Sequence, residues 1–500
     1  ATQGNAWNII DVGNLNVTYG ATFSLVADDG VTQTPFTETS PGSGIWVYND
    51  GTSDFSLSLS SGDVTYGRTP VTFWTGGGGD ANWSTEANWD RAPLSGDAFE
   101  FDGTAGVSNT NDLATAWDFG TMTPGDFEVT GISFAPGAGS FTLAGNPIGY
   151  SGLDLVNKSP NTQTLDLELQ VDGSVGGLTV KTEGGDIVLN SLTLGNGPNT
   201  ELVKQGFETL FVNGPLGGSD AFKAVVSQGT LVANQPSSST DSIFQDVNVG
   251  AGATLQTDGD AANGAIDDMG EVVVDGTLDL AEGVTEDIGS LEGAGVVTNH
   301  GTGGTTSTLR VRGLLETTFA GRILDGPSGG ATALELGIPG ETDNGSLTLT
   351  GLLDFSGDAM IQQPEVSLFL DETSALSLWV GANGVNNRVG STVPQVGGFI
   401  DLNGALVLDL SAASTTDGNS WTLVDVGNLD EAFGETFRLV NGGYVPPTTF
   451  AVTSGGGVGG DFEDAATYVS GGRTETFGNA ITIPAELVNP APESVYTTSL

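Results

Sequence analysis

The stretch "EVVVDGTLDLAEG" at residues 271–283 decides the fold, because apolar and polar residues alternate in it over two short runs. An alternation with a period of two is typical of half-buried β-strands. Asp and Gly stand between the two runs, and both are residues that tight turns favour. The stretch therefore predicts half-buried β-strand structure bounded by turn residues.

Comparable runs recur along the chain, and most of them end near Gly, Asn or Asp. They are "FSLSLSSGD" (55–63), "FTLAGN" (141–146), "TLDLELQVDG" (164–173), "SLTLTGLLDFSGD" (346–358) and "ALVLDLSAA" (405–413). The motif "GTL" itself returns at 229–231 and 276–278. Short strands at this density, without helical periodicity between them, predict an all-β protein. Their recurrence favours a stacked array of coils over the alternative of two or three antiparallel sandwiches.

Composition limits the classes of function. The chain carries 62 Asp and Glu against 12 Lys and Arg, a formal net charge of -50. Nucleic-acid binding needs a basic surface, so we expect no nucleic-acid partner. The sequence has no cysteine, which excludes disulfides and thiolate metal sites. No apolar run approaches the roughly 20 residues that span a bilayer, so we expect no membrane span.

One internal duplication links the two ends of the chain. "GNAWNIIDVGNLNVTYGATFSLV" (4–26) matches "GNSWTLVDVGNLDEAFGETFRLV" (418–440) at a constant offset of 414, with 13 of 23 positions identical. We therefore expect two related small β modules, at residues 1–71 and 416–500. They would flank a parallel β-helix at residues 72–415.

Three stretches, the last of them "VVSQGTLVAN" (225–234), resemble a known family, the autotransporter-associated β-strand repeat proteins of bacteria. "WTGGGGDANWSTEANWDRAPLSGDAFEFDG" (74–103) looks like the entry segment of that family, and "ELVKQGFETLFVNG" (201–214) looks like its repeat core. The repeat core keeps Leu202, Lys204, Gly206, Thr209, Leu210 and Gly214, whereas Glu208 stands where a second glycine is usual. The resemblance implies a right-handed parallel β-helix that is secreted and exposed at the cell surface. It implies no particular activity.

The acidic stretch at residues 257–271 is a candidate calcium site. It contains Asp258, Asp260, Asp267 and Asp268, and calcium prefers carboxylate and carbonyl oxygens in glycine-bearing turns. Its spacing does not match the helical calcium loop, and a solvated acidic loop is the alternative interpretation. Calcium is the only candidate cofactor.

Catalytic patterns are scarce, and we expect that the protein is not an enzyme. His300 is the only histidine, and no G-x-S-x-G motif supports a serine nucleophile beside it. Glycoside hydrolysis needs two suitably spaced carboxylates, and among 62 acids no pair can be singled out. A polysaccharide-degrading activity is therefore the weakest alternative.

Tryptophans concentrate near the predicted domain boundaries. Trp83 and Trp89 are six residues apart, so in an extended strand they would share a face and could stack on carbohydrate. Large flat side chains also cover the open ends of β stacks. We interpret five tryptophans as capping or assembly residues: Trp7, Trp74, Trp83, Trp89 and Trp421.

These patterns together predict an extracellular structural protein. Strand edges at the ends of a β-helix must be capped or used, and here both ends carry related modules. A head-to-tail contact between copies that does not close into a ring produces a filament. We therefore expect a homo-oligomer that forms a surface fibre. The alternative is a monomeric adhesin or carbohydrate-binding passenger.

Overall fold

The structure is a computed structural model that describes most of the chain. The described residues are 6–8, 26–28, 33–35, 37–38, 45–49, 53–58, 63–68, 71–113, 127–152, 154–171, 176–195, 200–213, 222–235, 244–259, 264–382, 384–391, 399–409, 412, 420–425, 430–433, 438–441, 449–450, 466–470, 473–477 and 480–484. Within them the chain forms β-strands, numbered in chain order, and one 3-10 turn at Glu86–Asn88. No helix in this part of the chain is long and apolar enough to cross a membrane.

The chain divides into two compact units, and the first contains Ala1–Thr72 and Gly96–Ala98. Its strands are β1 Ala6–Asn8, β2 Val26–Asp28, β3 Gln33–Pro35, β4 Thr37–Glu38, β5 Ile45–Asn49, β6 Ser53–Ser58 and β7 Asp63–Arg68. The main sheet has five antiparallel strands in the order β1-β7-β6-β5-β4. Strands β2 and β3 form a separate antiparallel pair.

The second unit, Phe73–Ser95 with Phe99–Leu500, contains four sheets of mainly parallel strands. Sheet 1 is, in order, β10 Ser108–Asn111, β12 Thr142–Gly145, β15 Gln163–Leu165, β18 Ile187–Leu189, β21 Thr209–Asn213, β23 Thr230–Gln235, β25 Thr254–Gly259, β27 Thr277–Leu280, β30 Val296–Asn299, β33 Arg322–Leu324, β36 Leu352–Asp354, β39 Ala375–Trp379, β42 Ala405–Asp409, β45 Arg438–Asn441 and β46 Thr449–Phe450. All of its pairings are parallel except the last, between β45 and β46.

The other sheets follow the same stacking. Sheet 2 is, in order, β19 Leu192–Leu194, β16 Leu169–Val171, β13 Ile148–Tyr150, β11 Glu128–Phe134, β14 Asp154–Asn157, β17 Gly177–Thr182, β20 Thr200–Gln205, β22 Phe222–Val226, β24 Asp246–Val249, β26 Glu271–Val274 and β29 Ser290–Glu292, with β8 Val71–Trp74 and β9 Asp97–Phe101 joined beside β11. Sheet 3 is β28 Thr285–Ile288, β31 Thr306–Val311, β34 Ala331–Leu336, β37 Ala359–Ile361, β40 Val389–Ser391, β43 Ser420–Asp425 and β49 Ala480–Pro484. Sheet 4 is β32 Glu316–Phe319, β35 Ser346–Leu349, β38 Ser367–Leu370, β41 Phe399–Leu402 and β44 Asp430–Phe433, and β47 Ala466–Ser470 pairs with β48 Arg473–Phe477.

The β-strand structure predicted for residues 271–283 is confirmed, and the structure divides it into two strands, β26 and β27. Both alternate between buried and more exposed residues, as the period of two requires. The "GTL" motif marks one position in successive coils, because Thr209, Thr230, Thr254 and Thr277 lie in register. The Thr side chain points outward and the following Leu is buried.

A single inward position of sheet 1 forms a continuous row of buried apolar side chains through the core. Ten residues lie in register there, and each is at most 1% exposed: Ile187, Leu210, Leu231, Leu255, Leu278, Val297, Ile323, Leu353, Leu376 and Leu406. Adjacent strands are about 4.8 Å apart, so each side chain packs on its counterpart in the next coil. Burial of apolar surface between coils is the main stabilising contribution.

The protein is therefore all-β, with parallel strands in stacked sheets that are compatible with a β-solenoid and differ from antiparallel sandwiches. We call the strands β10 to β45 the coil stack. The boundary expected after residue 415 falls inside the second unit. The reason is that β43, β44 and β45 pair in parallel with the preceding coil and continue its sheets.

Candidate functional sites along the coil stack

Three of the five predicted capping tryptophans form a buried aromatic group beside the first strands of the stack. We call Trp74, Trp83, Trp89, Phe99 and Phe101 the tryptophan cluster; each is at most 4% exposed. The rings of Trp83 and Phe99 are 5.3 Å apart and nearly perpendicular, and those of Trp74 and Trp89 are 4.9 Å apart. Edge-to-face contacts of this kind stabilise a core beyond the area that they bury.

Every indole N–H of the cluster donates a hydrogen bond. Trp83 Nε1 donates to Asn109 Oδ1 at 2.7 Å, Trp89 Nε1 to the Trp83 carbonyl at 2.9 Å, and Trp74 Nε1 to the Ala105 carbonyl at 3.1 Å. The rings are thus held in fixed orientations inside the protein. A buried ring has no face free for a sugar, so Trp83 and Trp89 do not offer the stacking surface that the adhesin alternative requires.

The backbone of the same segment covers the outer edge of β10. Trp83 N donates to the Thr110 carbonyl at 3.0 Å, and Thr110 N donates to the Ala81 carbonyl at 2.9 Å. The edge of the first strand in sheet 1 is therefore hydrogen-bonded on both sides. This is how native proteins protect a strand edge from pairing with other chains.

Asn88 organises the glycine-rich turn at residues 76–79. Its side chain accepts from Gly78 N at 2.8 Å and donates to the backbone carbonyls of Asp80 and Asn82. Both carboxylate oxygens of Asp80 accept hydrogen bonds within this loop, and those from the Asn82 backbone and the Thr85 hydroxyl lower the pKa of Asp80 most. The glycines and Asp80 thus shape a turn.

The remaining two predicted tryptophans, Trp7 and Trp421, occupy equivalent positions in the two copies of the duplication. Trp421 on β43 is completely buried and donates from Nε1 to the Ala382 carbonyl at 2.6 Å. Trp7 lies on β1, and its side chain falls outside the described residues. The predicted capping role of Trp7 therefore stays a prediction.

Lys204 occupies an inward position of β20 that its neighbours fill with apolar side chains. It pairs in register with Val180 on one side and Val226 on the other, and its side chain is fully buried. Burial lowers the pKa of Lys204 to about 8, although Glu208 and Asp186 favour the charged form. An ammonium group in this environment needs hydrogen-bond acceptors for all of its protons.

Three backbone carbonyls supply those acceptors. Lys204 Nζ donates to Gln205 at 3.0 Å, to Gly206 at 2.8 Å and to Gln228 at 3.0 Å. Gly206 and Gly229 bend the chain around it with φ of 83° and 65°. A Cβ on Gly229 would lie 2.8 Å from Nζ. Lys204 thus joins the corners of two successive coils.

We predict that Lys204→Met lowers the free energy of unfolding of this region by about 1–3 kcal/mol, because Met removes the donor to three partly buried carbonyls. Lys181→Met is the control, since Lys181 pairs with Asp154 at the surface and such pairs contribute at most about 1 kcal/mol. Hydrogen exchange of the amides in residues 205–213 measures the effect. Unchanged exchange in Lys204→Met would contradict the role assigned to the ammonium group.

The structure does not gather the predicted calcium residues into one site in the part that it describes. Asp258 is exposed at the end of β25. Asp267 accepts a hydrogen bond from the backbone amide of Met269, and Asp268 forms an ion pair with Arg312 at 3.1 Å. Asp260 lies outside the described residues. Among the described residues, no group of three or more His, Asp or Glu is placed to hold a metal ion. Calcium binding stays a prediction.

Glu286, next to this stretch, was not identified from the sequence. Its side chain is buried on β28, and its two carboxylate oxygens accept from Ile266 N at 2.7 Å and Ala265 N at 3.1 Å. Burial raises the pKa of Glu286 to about 7, and these two backbone hydrogen bonds oppose the shift. The carboxylate takes the place of a strand partner where sheet 3 begins.

His300 lies beside Asp279 on the outside of sheet 1. Its Nδ1 is 3.4 Å from Asp279 Oδ1. Burial raises the pKa of Asp279, against the influence of His300. One weak His–Asp contact is insufficient for a catalytic triad, which also needs an activated nucleophile.

Comparison with protein-family models finds no match for this chain, and comparisons with curated proteins and with solved structures find no match either. The resemblance to autotransporter-associated β-strand repeat proteins therefore stays a prediction from the sequence. Function has to be inferred from the geometry and charge of the molecule itself.

Proposed function

We propose that this protein is an extracellular structural subunit whose copies associate head to tail into a surface filament. In this proposal the coil stack is a right-handed parallel β-helix, and the segments at the two ends of the chain form the contact. The observation that carries the proposal is the duplication. Its C-terminal copy, Gly418–Val440, spans β43, β44 and the start of β45, and this is a whole coil at the end of the stack.

The physical reason is that stacked coils extend by adding the same unit. An exposed strand edge pairs readily with another strand, and strand addition gives strong contacts through backbone hydrogen bonds. Contact between different surfaces of two copies need not close, and an open series of such contacts is a filament. Residues 81–83 cover the outer edge of β10, the first strand of sheet 1, which favours growth at the other end of the stack.

The charge of the chain supports an extracellular role. A net charge of -50 keeps copies apart except where a specific contact overcomes repulsion. Salt shortens the range of that repulsion to about 8 Å at physiological ionic strength. We therefore propose secretion into a saline medium, with no nucleic-acid partner.

Electron microscopy of the purified full-length protein tests the proposal. We expect filaments of uniform width at about 0.15 M salt, and fewer or shorter ones at low salt where repulsion reaches further. A parallel sample with a calcium chelator shows whether calcium contributes to filament formation. Protein that stays monomeric across salt and protein concentration, with or without calcium, would exclude the filament.

A further inference from the structure

The last coil of the stack ends in strands of mixed direction. The outer edge of β43 pairs with β49, which is antiparallel and carries a register shift between Thr422 and Val424. The outer edge of β45 pairs with β46 over two residue pairs, also antiparallel. In the described part of the chain, β44 ends sheet 4 with no strand beyond it. No parallel coil follows β43, β44 and β45 among the described strands.

The N-terminal copy of the duplication keeps the inward residues of this coil. Trp421 and Leu423 are fully buried, and the offset of 414 places Trp7 and Ile9 at the same positions. In sheet 1, Leu439 pairs in register with buried Leu406, and Leu25 is its counterpart. A coil built from Gly4–Val26 would therefore continue the inward apolar positions of sheets 1 and 3.

Charge distinguishes the two copies in a way that favours stacking. Gly418–Val440 contains four acids and one arginine, whereas Gly4–Val26 contains a single acid, Asp11. Asp430, Glu431 and Glu435 have the uncharged counterparts Asn16, Val17 and Ala21. Like charges directly opposite on paired strands are destabilising. In this register Asp11 still lies opposite Asp425, but the other three acids of the C-terminal copy face uncharged residues, so most of the repulsion between like charges is avoided.

We propose that Gly4–Val26 of a second copy forms the next coil on β43, β44 and β45, in the register that places Trp7 on Trp421. This inference rests on the proposed head-to-tail assembly and specifies its contact. The incoming coil gives up the antiparallel pairing of β1 with β7 and replaces β46 and β49, which cover the end of the stack in the single chain. Three parallel strands then take the place of two antiparallel ones, and the edge of β44 gains a partner.

The first test restores the missing charges. Asn16→Asp with Val17→Glu places two acids opposite Asp430 and Glu431, and we expect the critical concentration for filaments to rise at least tenfold at 0.15 M salt. High salt should recover part of the loss, because it screens the repulsion. The control is Ala251→Asp with Thr318→Glu, which adds the same charge at exposed positions inside the stack. An equal effect of both double variants would overturn the contact.

The second test uses the absence of cysteine from the chain. Asn8→Cys with Thr422→Cys places two thiols at equivalent positions of stacked coils, where paired Cα atoms are about 4.8 Å apart and within disulfide range. Mild oxidation of the assembled protein should give a ladder of covalent multimers in non-reducing electrophoresis. Asn8→Cys with Asp430→Cys, whose partners lie on different sheets in the proposed register, should give none.

The outcomes separate this inference from the function on which it rests. Covalent multimers from Asn8→Cys with Thr422→Cys, and none from Asn8→Cys with Asp430→Cys, support the register. Filaments that form normally but yield no multimers from that pair overturn the register and leave head-to-tail assembly standing. Absence of filaments in the unmodified protein overturns both.

Discussion

Replacing Trp83 with Ala is expected to lower the free energy of unfolding at the N-terminal end of the coil stack by about 3–5 kcal/mol. The side chain is completely buried and its ring contacts Trp89 and Phe99 within the tryptophan cluster. The substitution leaves a cavity that rigid neighbours cannot fill. It also removes the donor to Asn109, which is itself buried.

Two further variants separate these contributions. Trp83→Phe keeps an aromatic ring but removes the N–H and one ring of the indole, so we expect an intermediate loss of about 1–3 kcal/mol. Phe207→Ala removes an aromatic side chain that is 78% exposed and should leave stability unchanged. Urea unfolding followed by circular dichroism, with hydrogen exchange of residues 108–111, measures all three. A Trp83→Ala variant as stable as the parent that has lost affinity on a glycan array would favour the adhesin instead.

Features that depend on local periodicity are the ones that the sequence predicts correctly. Alternation over 271–283 and the repeated "GTL" depend on local periodicity, and both appear in the structure as strands and in-register coil positions. Such features are readable because each coil repeats nearly the same environment. The all-β class and the parallel stacking follow from the same repetition.

Single polar residues inside the stack are harder to predict. Asn88 and Glu286 acquire their roles from backbone groups that only the fold brings close. Glu286 did leave a trace, since it stands two residues before buried Ile288 and so shares its inward face. Glu286 lies outside the acidic stretch at residues 257–271, and its role depends on its inward orientation and not on the number of acids near it.

Glu286 shows how the stack handles an interruption. Coils before β28 have no strand of sheet 3 among the described residues, and the backbone amides of Ala265 and Ile266 point to the position where such a strand would pair. An unpaired buried amide costs roughly 1–3 kcal/mol. The Glu286 carboxylate accepts hydrogen bonds from both of these amides, but its own burial costs free energy because it loses its contact with water. The balance between these effects depends on whether the carboxyl group is protonated.

The pH dependence of stability should therefore change when Glu286 is replaced by Gln. The pKa of Glu286 is about 7 in the folded protein, against an ordinary value of 4.5 for a glutamate in the unfolded chain. Between these values the folded state holds a proton that the unfolded state has released, so stability falls as pH rises from about 4.5 to 7. The expected change over this window is about 3 kcal/mol, because a difference of one between the two pKa values corresponds to about 1.4 kcal/mol.

A glutamine at this position cannot ionise, so the stability difference between Glu286→Gln and the parent should vary with pH over that window and be constant above it. Relative to the parent, the variant should be least stable near pH 4 and gain as pH approaches 8. Glu316→Gln removes one exposed charge and serves as the control for net charge. Hydrogen exchange of residues 264–270 at several pH values reports the local effect. If the free energies of unfolding of parent and variant changed with pH in parallel, the carboxyl group would titrate alike in the folded and unfolded chains. Burial of its charge would then not affect the stability of this coil.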